Sequence, residues 1–198
     1  MRRIYPDTEF VPGMPGLAGT ISIGAVDDTG REFYAINREV DLVAVAEHPW
    51  LMSNVVPFLP VRPIDGLPHR LEWDPTHPGY DYVQLPGWIS ARLEGWMSIG
   101  WETRGDNRLF GWYGARDVCR IHDLWGDDWS AMPPQIPTRI SEIADLFDDA
   151  GVKPPSMADL IGTGRIPFAA GEHHPLTDAY CHRELHRLGL AAKAGAGR

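Results

Sequence analysis

The sequence predicts a single domain of the mixed α/β class, and three observations lead to that prediction. The chain has 198 residues, which favours one domain with a sizeable core over two. Three N-terminal segments alternate apolar and polar residues as strands do, and later segments repeat apolar residues at helical spacing. The resulting order of strand, hairpin, helix, strand and further helices is typical of a mixed α/β domain.

The N-terminal part is predicted to form three consecutive antiparallel strands. Residues 2–10 form the first strand, and a loop rich in turn-forming residues follows over 11–19. Residues 20–26 and 31–37 flank a turn that ends at Gly30, which is the pattern of a β-hairpin. The three strands therefore run antiparallel in chain order.

Helical spacing of apolar residues predicts the remaining elements. The predicted helices cover residues 41–56, 88–99, 115–124, 138–150 and 175–188, with a buried strand over 109–113. Pro49 breaks the first helix, and Gly151 is the stop signal of the fourth. Pro175 suits the first position of the last helix, which is predicted to end at Gly189.

A proline-rich segment interrupts this pattern. Residues 57–86 contain seven prolines. Because proline breaks helices and is excluded from central strands, we expect a long inserted loop that covers a site or builds an interface. The domain is predicted to span residues 1–190, and the small-residue tail 191–198 is predicted to be disordered.

Composition excludes several classes of protein. The chain has 27 acidic and 18 basic residues, a net charge of -9, which argues against a protein that holds long duplex DNA through many phosphate contacts. No apolar stretch approaches the roughly 20 residues of a membrane helix, and the start of the sequence turns acidic before any apolar core that could serve as a signal peptide. We therefore expect a cytoplasmic protein without a membrane partner. Cys119 and Cys181 are too few for a disulfide framework and are expected to be reduced thiols, partly buried on helices.

Five residues form a candidate catalytic site. Asp7 and Glu9 project from the same face of the first strand, and neighbouring carboxylates repel unless a cation such as Mg²⁺ or Mn²⁺ lies between them. Asp117 follows the predicted buried strand, and His173 and Asp178 open the last helix. Each residue alone also has a structural explanation, since acids are common at strand ends and near helix N-termini.

Six segments of the chain carry a resemblance to a known family. They are residues 5–10, 21–24, 30–35, 114–117, 124–126 and 173–179. The candidate site residues follow one another along the chain as acid, acid, acid, histidine and acid. In this order the chain resembles the DEDDh 3′-5′ exonucleases, and within them the actinobacterial RNase AS family of polyadenylate-specific exoribonucleases. The likeness spans most of residues 4–190 and departs from the family at Pro6 and at the insertion near 60–85. It implies an RNase H-like mixed sheet with helices on both faces and the last helix packed across a central first strand.

The resemblance also implies an activity. The implied activity is that of a metal-dependent 3′-5′ exoribonuclease, which would hydrolyse single-stranded, adenylate-rich RNA to nucleoside 5′-monophosphates with two divalent ions, Mg²⁺ or Mn²⁺. The implied metal ligands are Asp7, Glu9, Asp117 and Asp178, with Asp7 bridging both ions. His173 would act as the general base, and Glu9, Phe10 and Ser22 would contact substrate. A homodimer is implied as well.

Several alternatives accompany this interpretation. His174 competes with His173, although only His173 has the family's spacing of five residues to Asp178. His182 and His186 have a spacing that suits zinc, but we expect them to form a solvated or interface face of the last helix. Phe10 is equally suited to core packing.

Two other functions fit the same residues. One is a DNA or oligoribonucleotide 3′-5′ exonuclease on the same site, and the other is a catalytically dead RNase H-like nucleic-acid-binding scaffold. The presence of all five site residues favours an enzyme.

Overall fold

The structure, a computed structural model, describes residues 1–100, 106–126, 129–167 and 170–196. The strands are β1 Arg2–Phe10, β2 Thr20–Asp27, β3 Glu32–Asn37, β4 Val61–Ile64, β5 Leu67–Trp73, β6 Val83–Gln84, β7 Asn107–Gly111 and β8 Ile140–Glu142. The helices are α1 Leu42–Glu47, α2 Pro49–Asn54, α3 Pro86–Ser98, α4 Ala115–His122, α5 Ala144–Ala150, α6 Met157–Gly162 and α7 Pro175–Ala196.

Six strands form one mixed sheet in the order β6-β3-β2-β1-β7-β8. β1, β2 and β3 pair antiparallel, whereas β7 runs parallel to β1 and β8 parallel to β7. β7 pairs only with residues 2–4 of β1, so Pro6 lies where β2 alone borders the strand and breaks no second ladder. The predicted mixed sheet with three antiparallel first strands is confirmed.

Apolar side chains cover both faces of the sheet. On one face Ile4 packs with Leu93 of α3 and Ile121 of α4. On the other face Tyr5 packs with Tyr180 of α7. Because successive side chains of a strand point to opposite faces, β1 contributes to both layers of the core. The predicted placement of helices on both faces is therefore confirmed.

Residues 57–86 do not form the predicted irregular loop. β4 and β5 pair as an antiparallel ribbon, and β6 adds a parallel strand to β3 at the edge of the main sheet. Pro63 and Pro68 lie in this two-stranded ribbon, where each strand has one edge that needs no donor, and Pro86 occupies the first position of α3. These three prolines therefore lie within regular elements, which the count of prolines did not reveal.

Two helix predictions met different outcomes. The break near Pro49 is confirmed, since α1 and α2 are separate helices with Pro49 opening the second. The predicted helix over 138–150 is wrong in its first half, where β8 extends the sheet edge before α5 begins. Glu142 ties β8 to the preceding loop by accepting hydrogen bonds from the N–H groups of Tyr113 and Gly114. This tertiary pairing overrides the local helical spacing.

The last helix is longer than predicted. α7 continues through Gly189 to Ala196, so the predicted end near Leu188 and the predicted disorder of 191–196 are wrong. A Cβ at position 189 would lie 2.9 Å from the Cβ of Leu146, so glycine here permits close packing of α7 on α5 and does not cap the helix. Residues 197 and 198 lie outside the described residues.

The cysteines and the helices bear on two further predictions. Both thiols are free, but Cys119 on α4 is exposed and Cys181 on α7 is fully buried, so neither has the partial burial that we expected. Within the described ranges, no helix combines the length and apolar character that crossing a bilayer requires.

Candidate active site

A cavity of about 410 Å³ opens at the end of β1. Its walls come from the last residues of β1, the start of α2, the first turn of α4 and the start of α7. The structure brings the five predicted site residues to this cavity, namely Asp7, Glu9, Asp117, His173 and Asp178. Residues from three distant parts of the chain thus meet in one place.

The alternation along β1 divides the site acids between the two faces of the sheet. Asp7 and Glu9 face α7. Thr8 faces α4, where its N–H and its hydroxyl donate hydrogen bonds to Oδ1 of Asp117 at 3.0 and 2.7 Å. Both bonds reach the same oxygen, so Oδ2 of Asp117 is the one that can serve as a ligand.

Gly24 brings the start of α7 against the sheet. It pairs with Asp7 across the β1–β2 ladder, and a Cβ at this position would overlap the backbone of Pro175 and Leu176. Only glycine permits this approach. Asp178, one turn into α7, is thereby placed beside the acids of β1.

Two carboxylate oxygens of the site are buried without a partner. Oδ2 of Asp178 accepts a hydrogen bond from the N–H of His173 at 3.0 Å. Oδ1 of Asp178 and Oδ2 of Asp7 are buried, and no donor among the described residues reaches them. Because a buried carboxylate oxygen is costly unless it is paired, this pattern indicates that both oxygens accept from something other than the chain.

Burial raises the pKa values of all four acids, and repulsion by neighbouring carboxylates adds to this effect. Burial raises the pKa of Asp7 well above its ordinary value, and the charge of Asp117 adds to the effect. Burial, with the charges of Asp178 and Asp117, raises the pKa of Glu9 to about 9. Burial raises the pKa of Asp117 to about 7 although hydrogen bonds from Thr8 lower it, and burial raises the pKa of Asp178 to about 7. Ionising all four acids together is therefore unfavourable unless a bound cation offsets their charge.

The donor atoms fit a hard divalent cation. Glu9, His173 and Asp178 each offer one ligand atom, and these three atoms lie within 4.8 Å of one another. The unpartnered oxygens of Asp7 and Asp178 add carboxylate ligands of the kind that Mg²⁺ and Mn²⁺ prefer. The site can thus hold a metal ion.

The two adjacent histidines have different surroundings. His173 lines the cavity, has a left-handed backbone with φ of 66°, and its ring meets the ring of Trp50 edge-on at 4.7 Å between centroids. His174 is buried between Tyr34 and Phe58, at 4.9 and 5.6 Å between ring centroids. His173 is therefore the histidine that a substrate in the cavity would meet.

Comparison with known proteins supports a nuclease. No family model matches the chain. A 3′-5′ exoribonuclease of Mycobacterium tuberculosis strain CDC 1551 / Oshkosh is 30% identical over 149 residues, which are 75% of this chain and 76% of the relative. The 3′-5′ exoribonuclease of strain ATCC 25618 / H37Rv matches to the same extent. The chain belongs to this 3′-5′ exoribonuclease family.

Solved structures agree on the fold of this exoribonuclease family member. A product-bound exonuclease I has a TM-score of 0.58 at 11% identity and covers 98% of this chain. Exonuclease I of E. coli in complex with a dA16 oligonucleotide has a TM-score of 0.59 at 12% identity over the same share. The chain spans 44% and 42% of those two proteins, less than half of each. The predicted fold is therefore confirmed by its likeness to exonuclease I.

The sequence analysis did not single out several other residues that line the cavity. His48, Trp50, Tyr113 and Arg116 line the cavity beside the predicted residues. Tyr113 is 74% exposed and has a positive φ of 54°, which is uncommon for a non-glycine residue and favours a role at the site. Its place just before the predicted helix of Asp117 was a usable signal, whereas nothing local in the sequence places α2 at the cavity.

Two predicted substrate contacts have different positions. Phe10 lines the cavity and is half-buried, which suits a stacking surface. Ser22 lies opposite Glu9 in the β1–β2 ladder but is 1% exposed and outside the cavity lining, and its hydroxyl has no partner among the described residues. Ser22 therefore lies beside Glu9 in the sheet and not in the cavity, and its contact with substrate stays a prediction.

His182 and His186 do not form the solvated or interface face that we expected. Both are buried, with 2% and 4% exposure. His182 Nδ1 forms a hydrogen bond of 2.9 Å with the carbonyl of Pro6, and its Nε2 lies 3.9 Å from Oδ1 of Asp7. His186 Nδ1 forms a hydrogen bond of 2.8 Å with the hydroxyl of Tyr5. The α7 face that carries them packs on β1, so their spacing serves the core.

The raised pKa values predict how pH changes the stability of the protein in chelator. An acid whose pKa is higher in the folded chain binds more protons when folded, so the free energy of unfolding falls as pH rises toward the folded pKa. Asp117 and Asp178, with folded pKa values of about 7, contribute to this fall mainly below pH 7. Glu9, with a folded pKa of about 9, continues it from pH 7 to 9. We expect Tm in EDTA to decrease over that range and saturating Mn²⁺ to remove the decrease.

The buried histidines do not titrate in the range from pH 7 to 9. Burial lowers the pKa values of His174, His182 and His186 to about 4, so they change stability with the opposite sign and only below about pH 6.5. A Glu9→Gln variant is the control and should show a shallower decrease above pH 7. A Tm that stays level or rises from pH 7 to 9 in EDTA would contradict the prediction.

Proposed function

We propose that the protein is a divalent-metal-dependent 3′-5′ exoribonuclease of the RNase AS type. It would hydrolyse single-stranded, adenylate-rich RNA to nucleoside 5′-monophosphates by a two-metal mechanism. The observation that carries this proposal is the set of four acids, three of them buried and Asp7 largely so, with two buried oxygens that lack a partner among the described residues, in a chain that shares 30% identity with a named 3′-5′ exoribonuclease.

The residues of the cavity have distinct parts in this reaction. Asp7, Glu9, Asp117 and Asp178 would hold two divalent ions, which when bound lower the pKa of the attacking water and neutralise charge on the departing 3′-oxygen. His173 would accept the proton of that water at a ring nitrogen. Trp50 contacts the ring of His173 and restricts its orientation. Phe10 offers an aromatic face for a base.

The proposal is tested with a 5′-labelled oligoadenylate and Mn²⁺. We expect a ladder of products shortened one nucleotide at a time from the 3′ end, with AMP released. A 3′-phosphate should block the reaction, because the terminal hydroxyl must enter the site. EDTA should abolish turnover and Mn²⁺ should restore it. Cleavage of a circular RNA, or full activity in EDTA, would refute the proposal.

Substrate choice is tested on matched homopolymers. Oligocytidylate should be degraded more slowly than oligoadenylate, and equal rates would remove only the adenylate preference. A matched oligodeoxyadenylate addresses the alternative of a DNA exonuclease. RNA is the first choice because the relative that shares 30% identity is named for it. A catalytically dead scaffold would bind RNA without releasing AMP under any metal condition.

Two further expectations follow from the resemblance alone. We propose a homodimer, which light scattering of the purified chain would measure. We also propose a cytoplasmic location, which cell fractionation would test. Neither is needed for the chemistry described above.

A further inference from the structure

A second groove continues from the catalytic cavity along α4. It has a volume of about 610 Å³ and lies between α4 and the loop that follows β1. Phe10 and Arg116 line both the groove and the cavity, so the two spaces share one boundary. A chain that leaves the cavity past Phe10 enters this groove.

The two arginines of the groove differ in their contacts. Arg120 is tied to the loop, because its guanidinium donates hydrogen bonds to the carbonyls of Met14 and Gly16 at 2.8 and 3.3 Å and pairs with Asp123 at 3.3 Å. Arg120 thus builds the wall of the groove. Its guanidinium also lies 4.8 Å from the ring centroid of Phe10.

Arg116 has no such partners among the residues that the structure describes. Its side chain is exposed, its guanidinium lies 5.9 Å from the ring centroid of Phe10, and no carboxylate of the described residues pairs with it. The protein carries a net charge of -9, so a cation without a carboxylate partner beside a cavity of four acids stands out from its surroundings. An arginine in this state fits a phosphate oxygen, which it contacts through charge-assisted hydrogen bonds.

We propose that this groove binds the backbone of single-stranded RNA just upstream of the 3′-terminal nucleotide, with Arg116 as a phosphate ligand. The inference rests on the proposed function, since it needs the 3′ end in the catalytic cavity. Two observations favour this occupant over others: the groove is continuous with the cavity, and its free cation complements a phosphodiester. Arg120 and the loop over 11–19 hold the groove open.

The test is equilibrium binding of 5′-fluorescein oligoadenylates of increasing length, measured by anisotropy in EDTA so that no turnover occurs. Arg116→Gln should weaken binding about tenfold for oligomers long enough to enter the groove, with a smaller loss for the dinucleotide. The slope of log affinity against log salt should shrink by about 0.7, the value for one phosphate contact on a single strand. Arg139→Gln is the matched control, because Arg139 is an exposed arginine immediately before β8 that lines neither the cavity nor the groove.

The outcomes separate this inference from the proposed function. Unchanged affinity and salt slope in Arg116→Gln, or an equal loss at every length, would overturn the groove assignment whether or not the enzyme is active. An equal loss in Arg139→Gln would also overturn it. Arg116-dependent binding together with a wild-type protein that never releases AMP would leave the groove standing and refute the exoribonuclease proposal.

Discussion

Asp7→Asn is expected to abolish turnover and, in the absence of metal, to make the protein more stable. Asp7 lies at the centre of the four acids, and its Oδ2 is buried without a partner. Loss of a ligand that supplies several kcal/mol of transition-state stabilisation lowers the rate by at least about 10³-fold. The amide removes a charge that repels Glu9, Asp117 and Asp178, so Tm in EDTA should rise.

This opposite response of activity and stability distinguishes a functional acid from a structural one. AMP release and Tm in EDTA are the two measurements. The matched control is Asp159→Asn, because Asp159 forms the capping box of α6 with Ser156. That variant should lose stability and keep its turnover. An Asp7→Asn protein that retains activity, or one that melts well below wild type, would show that Asp7 is structural.

His173→Ala is expected to lower the rate by about 10² to 10⁴-fold, the usual contribution of a general base. Metal binding should be largely retained, because the four carboxylates remain. The structural basis is the position of the His173 ring in the cavity, against Trp50 and within 4.8 Å of ligand atoms of Glu9 and Asp178. Single-turnover rates measured across pH would follow the loss of the base.

Two other histidines serve as controls for this variant. His174 is buried in an aromatic contact, so His174→Ala should lower Tm by leaving a cavity while the folded fraction keeps its rate. His69→Ala, at an exposed position of β5, should change neither property. A His174→Ala protein that folds normally and loses activity, beside an active His173→Ala protein, would reverse the assignment.

The site was accessible from the sequence because its signals are local or ordered along the chain. Asp7 and Glu9 share a face by strand periodicity, and the spacing from His173 to Asp178 survives in any helix that begins at Pro175. The strands β1 to β3 followed from the same kind of signal, whereas β6 and β8 of the six-stranded sheet were not predicted. Family resemblance supplied what spacing alone did not, namely the meeting of these segments.

The errors have a common physical cause. Each concerns a position whose character depends on a partner elsewhere in the chain. Gly189 was predicted to end the helix, but its role is to let Leu146 pack closely against it. His182 was predicted to lie on the surface, but it is buried and forms a hydrogen bond with the carbonyl of Pro6. Trp50 has no local mark of function, because α2 reaches the cavity only through tertiary packing.

Gly24 is a position at which a small substitution would remove catalysis and leave the fold in place. It lies in the middle of β2, fully buried and far from any turn, where an alanine would ordinarily be accepted by a strand. A single methyl group there would push the first turn of α7 outward and carry Asp178 away from Asp7, without removing any apolar side chain of the core. Natural variants with a larger residue at this position would be folded homologues that have lost catalysis while keeping every acid. A search for inactive members of the family should therefore examine this strand position as well as the five site residues.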